Sequence, residues 1–167
     1  NAVVADGLTT LTITNAEVVS TGAVNISGAL STSNALTGSF TSSGLLTAGS
    51  IDLDGTAFNL NNGFATTGIV DIGNSGLLTL AGTASTAGDA VSVSGAANLG
   101  VNITTTADLI DLNGTVVIAE GTSVTLSTGT GEGNIEIAGT VNGTTGGTAE
   151  TLVLDADTGD ITLSSSV

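Results

Sequence analysis

Three observations predict an all-β chain. Short stretches of one pattern recur along it, apolar residues alternating with polar ones and closing on a small residue: VNISG (24–28), IDLDG (51–55), VDIG (70–73), LTLAG (78–82), VSVSG (91–95), IDLNG (110–114) and IEIAG (135–139). Apolar positions repeat at a spacing of two, the period of a strand, and not at three and four, the period of a helix. Gly supplies 25 of the 167 residues, and with frequent Thr and Val this opposes helix on propensity.

Taken in order, strand-like units begin at Leu11, Val24, Ile51, Val70, Leu78, Val91, Val101, Ile110, Val124, Ile135, Leu152 and Ile161. LTIT at Leu11 and VNISG at Val24 each place apolar residues on one side. Between Val24 and Ile51 the pattern blurs into STSNALTGSFTSSGLLTAG, so residues 1–50 are expected to be an irregular or capping part and residues 51–167 the regular repeats of one domain. From Ile51 on, alternate units fall at a loose period: Val70 to Val91 is 21 residues, Val91 to Ile110 is 19, Ile110 to Ile135 is 25 and Ile135 to Ile161 is 26. The interleaved set, Leu78, Val101 and Val124, is spaced by 23. The period is about 22 residues. Ile51, Leu53, Val70, Ile72, Val91, Val93, Ile110, Leu112, Ile135, Ile137, Ile161 and Leu163 would line the inside. Asp52, Asp71, Ser92, Asp111, Glu136 and Thr162 would face out.

Two architectures fit this pattern. In a parallel β-solenoid, or β-helix, the turns stack at about 4.8 Å, so the chain would make roughly seven or eight turns and a rod on the order of 35 Å long. In an antiparallel β-sandwich the same strands would be joined by hairpins, for which Asn62-Gly63, Asn113-Gly114 and Asn142-Gly143 are good turn dipeptides. A thin bore filled by Val, Ile, Leu and Ala has little room for rings. That suits a chain with three Phe, at 40, 58 and 64, and no Trp or Tyr. Sandwich cores usually bury a Trp or Tyr, so the solenoid is the favoured reading.

Composition excludes several functions. The chain has no Lys, Arg, His, Cys, Met or Pro, and its 15 carboxylates give a formal charge of −15. No ion pair between side chains can form. With 9% charged and 40% apolar residues it is expected to fold, unlike an acidic disordered tail. Binding to nucleic acid draws on Lys, Arg and stacking aromatics, so nucleic acid is not an expected partner. Anionic membrane surfaces are excluded on the same ground, and no apolar run reaches the ~18 residues of a membrane helix. NAVVADG lacks the basic start of a signal peptide, and a start at Asn1 suggests a processed product or a piece of something longer. The absence of sulfur and cations is typical of secreted fibrous or surface-layer material, and it leaves trypsin-like proteases no site to cut.

IDLDG, IDLNGTVVIAEG, VTLSTGTGEGNIEIAGTVNG and LVLDADTGDITL, over roughly residues 51–167, resemble the repeats of giant secreted bacterial surface proteins of the filamentous-haemagglutinin-like, β-strand-repeat type. The resemblance implies a right-handed β-helical fibre, exported to the cell surface and used for adhesion or as extracellular scaffold.

Few residues can carry chemistry. A nucleophilic Ser or Thr needs a His, Lys or terminal amine as base, and with neither His nor Lys no triad can be built. Zinc held by Cys and His is excluded too. No catalytic residue is assigned. Asp52 and Asp54 on one strand face would stand about 7 Å apart, near the separation inverting glycosidases use, and are a weak candidate pair for glycan cleavage or a metal. Their plainer reading is a solvated outer face. Calcium is the stronger candidate: Asp155, Asp157 and Asp160 in DADTGD place three carboxylates around Gly159, although Gly159 and Ser166 stand where the helix-loop-helix pattern has ligands. GTGEGNIEI (129–137) has part of the glycine-rich calcium-roll pattern. Asp and Gly also suit an ordinary turn. Thr10, Thr12 and Thr14 resemble an ice-binding array, but the motif is not repeated once per turn. Asn25, Asn102, Asn113 and Asn142 lie in N-x-S/T sequons.

The expectation is a non-catalytic segment of an extracellular fibre or adhesin. The alternatives are a calcium-dependent surface-binding module and, third, a β-helical glycan-cleaving enzyme. No cofactor is required, with calcium the one candidate. Expected partners are copies of the chain end to end or the rest of a longer chain, with surface glycans as candidate ligands. At such a junction Val3, Val4, Leu8, Leu11 and Ile13 would meet a neighbour's strand around Ile161 and Leu163, since open strand edges need a cover.

Overall fold

Strict alternation winds the chain into a parallel β-solenoid with three faces, seen in a computed structural model that describes residues 8–33 and 36–167. The first coil is β1 (Leu11–Thr14), β2 (Val18–Thr21) and β3 (Val24–Asn25), and the second is β4 (Ala29–Ser33), β5 (Leu36–Ser42) and β6 (Leu46–Ala48). In the third, β7 (Ser50–Leu60) runs through a corner without a break and is followed by β8 (Phe64–Thr66). Next come β9 (Val70–Asn74), β10 (Leu77–Leu80) and β11 (Ser85–Thr86), then β12 (Val91–Val93), β13 (Ala96–Leu99) and β14 (Ile103–Thr104). The last coils are β15 (Ile110–Leu112), β16 (Val116–Ile118) and β17 (Ser123–Ser127), then β18 (Ile135–Ile137), β19 (Val141–Gly143) and β20 (Thr151–Asp155), with β21 (Ile161–Leu163) after them.

On face one the inward residues Leu11, Leu30, Ile51, Val70, Val91, Ile110, Ile135 and Ile161 stack in register. On face two the stack is Val19, Phe40, Phe58, Leu78, Ala97, Val116 and Val141. Face three carries β3, β6, β8, β11, β14, β17 and β20 as a separate 7-stranded sheet, whereas β7 joins faces one and two into a 14-stranded one. Every pairing among the described residues is parallel, which overturns the antiparallel sandwich. The Asn-Gly pairs turn corners or lie in a strand: Gly63 takes φ +66° at the corner between faces two and three, and Asn142-Gly143 belongs to β19.

The coil is shorter than expected for most of its length and longer at the end. Leu11 to Leu30 is 19 residues and Phe40 to Phe58 is 18, whereas Ile135 to Ile161 is 26 and Leu126 to Leu154 is 28. The expected interleaved set mixes rows, for Leu78 lies on face two and Val124 on face three. The irregular stretch before Ile51 contains β4 to β6 in the same three rows, with a register shift between Leu36 and Ser39.

Of the residues expected inside, those from Ile51 to Ile137 are no more than 1% exposed, but Ile161 is 47% and Leu163 41% exposed because nothing stacks on β21. Full burial of each such side chain contributes roughly 1.5–3 kcal/mol. All three Phe are buried in the bore, and the Phe40 and Phe58 rings are 6.3 Å apart and tilted by 48°.

The glycine that closes IDLDG, VSVSG, IDLNG and IEIAG occupies the corner between faces one and two. Register places Gly55, Asn74, Gly95, Gly114 and Gly139 in one column. A Cβ on Gly114 or Gly139 would strike the backbone of the glycine one coil below. Asn74 is the exception, and its buried amide closes the corner by hydrogen bonds.

Candidate functional site

Face one carries most of the charge. Its outward column reads Thr12, Ser31, Asp52, Asp71, Ser92, Asp111, Glu136 and Thr162. Asp54 lies beside it, and Asp89, Asp108, Glu132, Asp157 and Asp160 stand on the turns that lead into the face. Among the described residues the outward column of face two carries no charge: it is Ser20, Thr41, Asn59, Thr79, Asn98, Val117 and Asn142. Among the described strands of face three only the last has a carboxylate, Asp155.

Asp52 and Asp54 are both exposed on β7, as alternation requires. The backbone at Asp54 is tied to the coil below, its N–H donating to Thr32 Oγ1 at 2.7 Å. Its carboxylate lies over Gly73, where a side chain would collide with it. Beside it runs a shallow open groove lined by Leu36, Thr37, Gly55, Thr56 and Ser75. Asp52 pairs in register with Asp71, as stacking of the outward column expects, with Asp54 beside them, whereas Ser92 separates Asp71 from Asp111. Partial burial, then Asp52, then Asp54 hold Asp71 above its ordinary pKa of 3.8.

That shift sets a direction for stability. The folded state holds this proton more tightly than the unfolded chain, so the contribution of Asp71 is fully present below pH 3.8 and is lost as pH rises through the raised folded value. Asp71→Asn is therefore expected to melt at a higher temperature than the parent at neutral pH, with the gap closing in acid. Thermal melts of both proteins at the two pH values check this.

DADTGD is the turn from β20 to β21. Asp155 Oδ1 accepts from Asp157 N–H at 3.3 Å, Gly159 N–H donates to Ala156 O at 2.7 Å, and Asp157 takes φ +48°. The structure sets GTGEGN directly against it: Gly131 N–H donates to Asp157 Oδ2 at 3.0 Å, Thr158 Oγ1 to Gly131 O at 2.7 Å and Asp160 N–H to Asn134 Oδ1 at 2.9 Å. Sequence inspection left the two motifs apart because they lie 26 residues apart in the longest coils. The carboxylates of Asp155, Asp157 and Asp160 do not converge as a metal-holding group, nor does any other set among the described residues.

Calcium, magnesium and plain salt are each expected to raise the melting temperature by screening face one. A calcium site at this corner would add a saturable step, lost in Asp157→Asn. Melting in chelator and in millimolar calcium at matched ionic strength separates the two, and equal temperatures would leave the corner a turn alone.

The threonine array is cut short, since Thr12 bonds Ser31 at 3.1 Å and the column then continues into Asp52. The sequon asparagines are exposed, and three of them serve local geometry. Asn102 Oδ1 accepts from Thr125 N–H at 2.8 Å, Asn113 Nδ2 donates to Asp111 Oδ2 at 2.8 Å and Asn142 Nδ2 to Thr140 Oγ1 at 3.2 Å. No protein-family model, curated protein or solved structure matches this chain.

Proposed function

We propose that the chain is a non-catalytic structural segment of an extracellular fibre or adhesin, a stiff scaffold that resists proteolysis. The unbroken parallel pairing of each coil with the next, around an apolar bore, supports this reading. Main-chain groups are satisfied between coils and inward side chains pack on their own row, so stiffness follows from the repeat itself. The carboxylates of face one keep the surface hydrated and repel like rods. All three aromatic rings are buried, so none offers a sugar a stacking platform.

Small-angle scattering together with digestion by a broad-specificity protease tests this proposal. An elongated particle that survives digestion is expected. Turnover of any polysaccharide, lost in Asp52→Asn or Asp54→Asn, would overturn it in favour of a glycan-cleaving β-helix. A calcium-dependent surface-binding module is the second reading, favoured by the stacking of GTGEGN against DADTGD.

A further inference from the structure

We propose that the corner at Asn113-Gly114 is a site of self-modification, where Asn113 loses its amide nitrogen through a cyclic imide formed with the main chain and becomes aspartate or isoaspartate. The inference stands apart from the scaffold reading. The chain holds three Asn-Gly pairs, at 62–63, 113–114 and 142–143. In each, glycine leaves the attacking main-chain nitrogen without a side chain beside it, so the residue types rank the three equally. The fold does not.

Asn62 is held on both sides of the bond that would form. Its Nδ2 donates to Ser43 O in the coil below at 2.8 Å, and Gly63, buried with φ +66°, donates its N–H to Leu60 O at 3.3 Å. Ring closure there has to break both bonds. Asn142-Gly143 lies inside β19. In a strand the N–H groups lie in the plane of the sheet and side chains stand out of it, so the Gly143 nitrogen is turned away from the Asn142 side chain.

Asn113 has neither restraint. It lies between β15 and β16, outside any strand, with its side chain exposed. Its Nδ2 donates to a neighbouring side chain, Asp111 Oδ2 at 2.8 Å, and Gly114 N–H makes no hydrogen bond among the described residues. The nitrogen that must attack is therefore unengaged.

The Gly114 nitrogen attacks Asn113 Cγ and gives up its proton; the Cγ–Nδ2 bond breaks, and Nδ2 leaves as ammonia with that proton. Water then adds to the imide. Opening at Cγ leaves aspartate, whereas opening at the main-chain carbonyl carbon of Asn113 leaves isoaspartate, with the chain running through Cβ and Cγ. Either product gains one negative charge beside Asp111, which is itself in register with Glu136. Isoaspartate also lengthens the main chain at a corner where a Cβ on Gly114 would already strike the backbone of Gly95. Converted chains are therefore expected to melt below the parent.

Incubation of the folded chain in mildly alkaline buffer, followed by isoelectric focusing and by peptide mapping with mass spectrometry, tests the proposal, and a parallel sample in urea gives the unfolded rates. In the folded chain Asn113 is expected to convert at least tenfold faster than Asn62 or Asn142, whereas in urea the three rates converge. Asn113→Gln, whose longer side chain would have to close a larger ring, is expected to melt close to the parent and to lose the early acidic species. Folded-state conversion at Asn62 or Asn142 as fast as at Asn113, or an intact Asn113 after the urea sample has fully converted, would overturn the proposal. So would an early acidic species that persists in Asn113→Gln.

Discussion

Phe58→Ala is expected to lower the free energy of unfolding by about 3–5 kcal/mol, the range for deleting a large buried ring. Phe58 is fully buried on face two, and its neighbour in the row is Phe40, also fully buried. The row cannot close over the gap, because coil spacing is set by main-chain hydrogen bonds on all three faces. Bore side chains would have to leave their rotamers to fill it. In a linear array each coil draws stability from its two neighbours, so damage in the third coil weakens the contact between both halves. Urea titration checks the size of the effect. A loss below about 1 kcal/mol would mean that the bore collapses freely around position 58.

Asn74→Ala is expected to cost about 3 kcal/mol without removing any large apolar surface, through buried main-chain groups left unpaired. Asn74 is 4% exposed at the end of β9. Its Nδ2 donates to Gly76 O at 2.8 Å and to Ala96 O at 2.9 Å, and its Oδ1 accepts from Gly95 N–H at 2.9 Å. One amide thus closes its own corner and ties it to the coil above. Asp in its place would keep the acceptor, lose both donors and add a charge, so Asn74→Asp should be at least as harmful. Asn113→Ala, which frees only an exposed bond to Asp111, is the matched control and should cost under about 1 kcal/mol. Comparable losses for Asn74→Ala and Asn113→Ala would refute the corner account.

Face one was legible because its strands carry a clean two-residue alternation ending on glycine, as in IDLDG, VSVSG and IEIAG. There the inward residues are as the pattern requires, except at β21, where the row ends. Face two was mostly hidden. Its inward positions include Ala97 in AANL and Phe40 in LTGSFTS, where no repeated apolar-polar-apolar triplet marks the strand. Face three conceals its inward row for another reason: Ser85 and Thr105 are buried polar residues, and Thr105 Oγ1 donates to Asp108 O at 2.6 Å to close a corner. A chain read as two interleaved sets of strands is therefore built of three. The candidate sites were legible as residues and not as neighbours. Asp52 and Asp71 are the exception, since stacking of the outward column brings them together as expected, but GTGEGN meets DADTGD only because the last coils are longer.

The one-sided placement of carboxylates gives the rod a back and a front. At ordinary ionic strength the electrostatic reach is about 8–10 Å, roughly two coil spacings, so charges along face one repel their neighbours while face two lies beyond most of their field. Counterions will gather as a lopsided cloud along one flank. Two such rods drifting together experience a torque about their long axes, and the pose of least repulsion turns the acidic flanks outward and the flat rows of Thr and Asn toward each other.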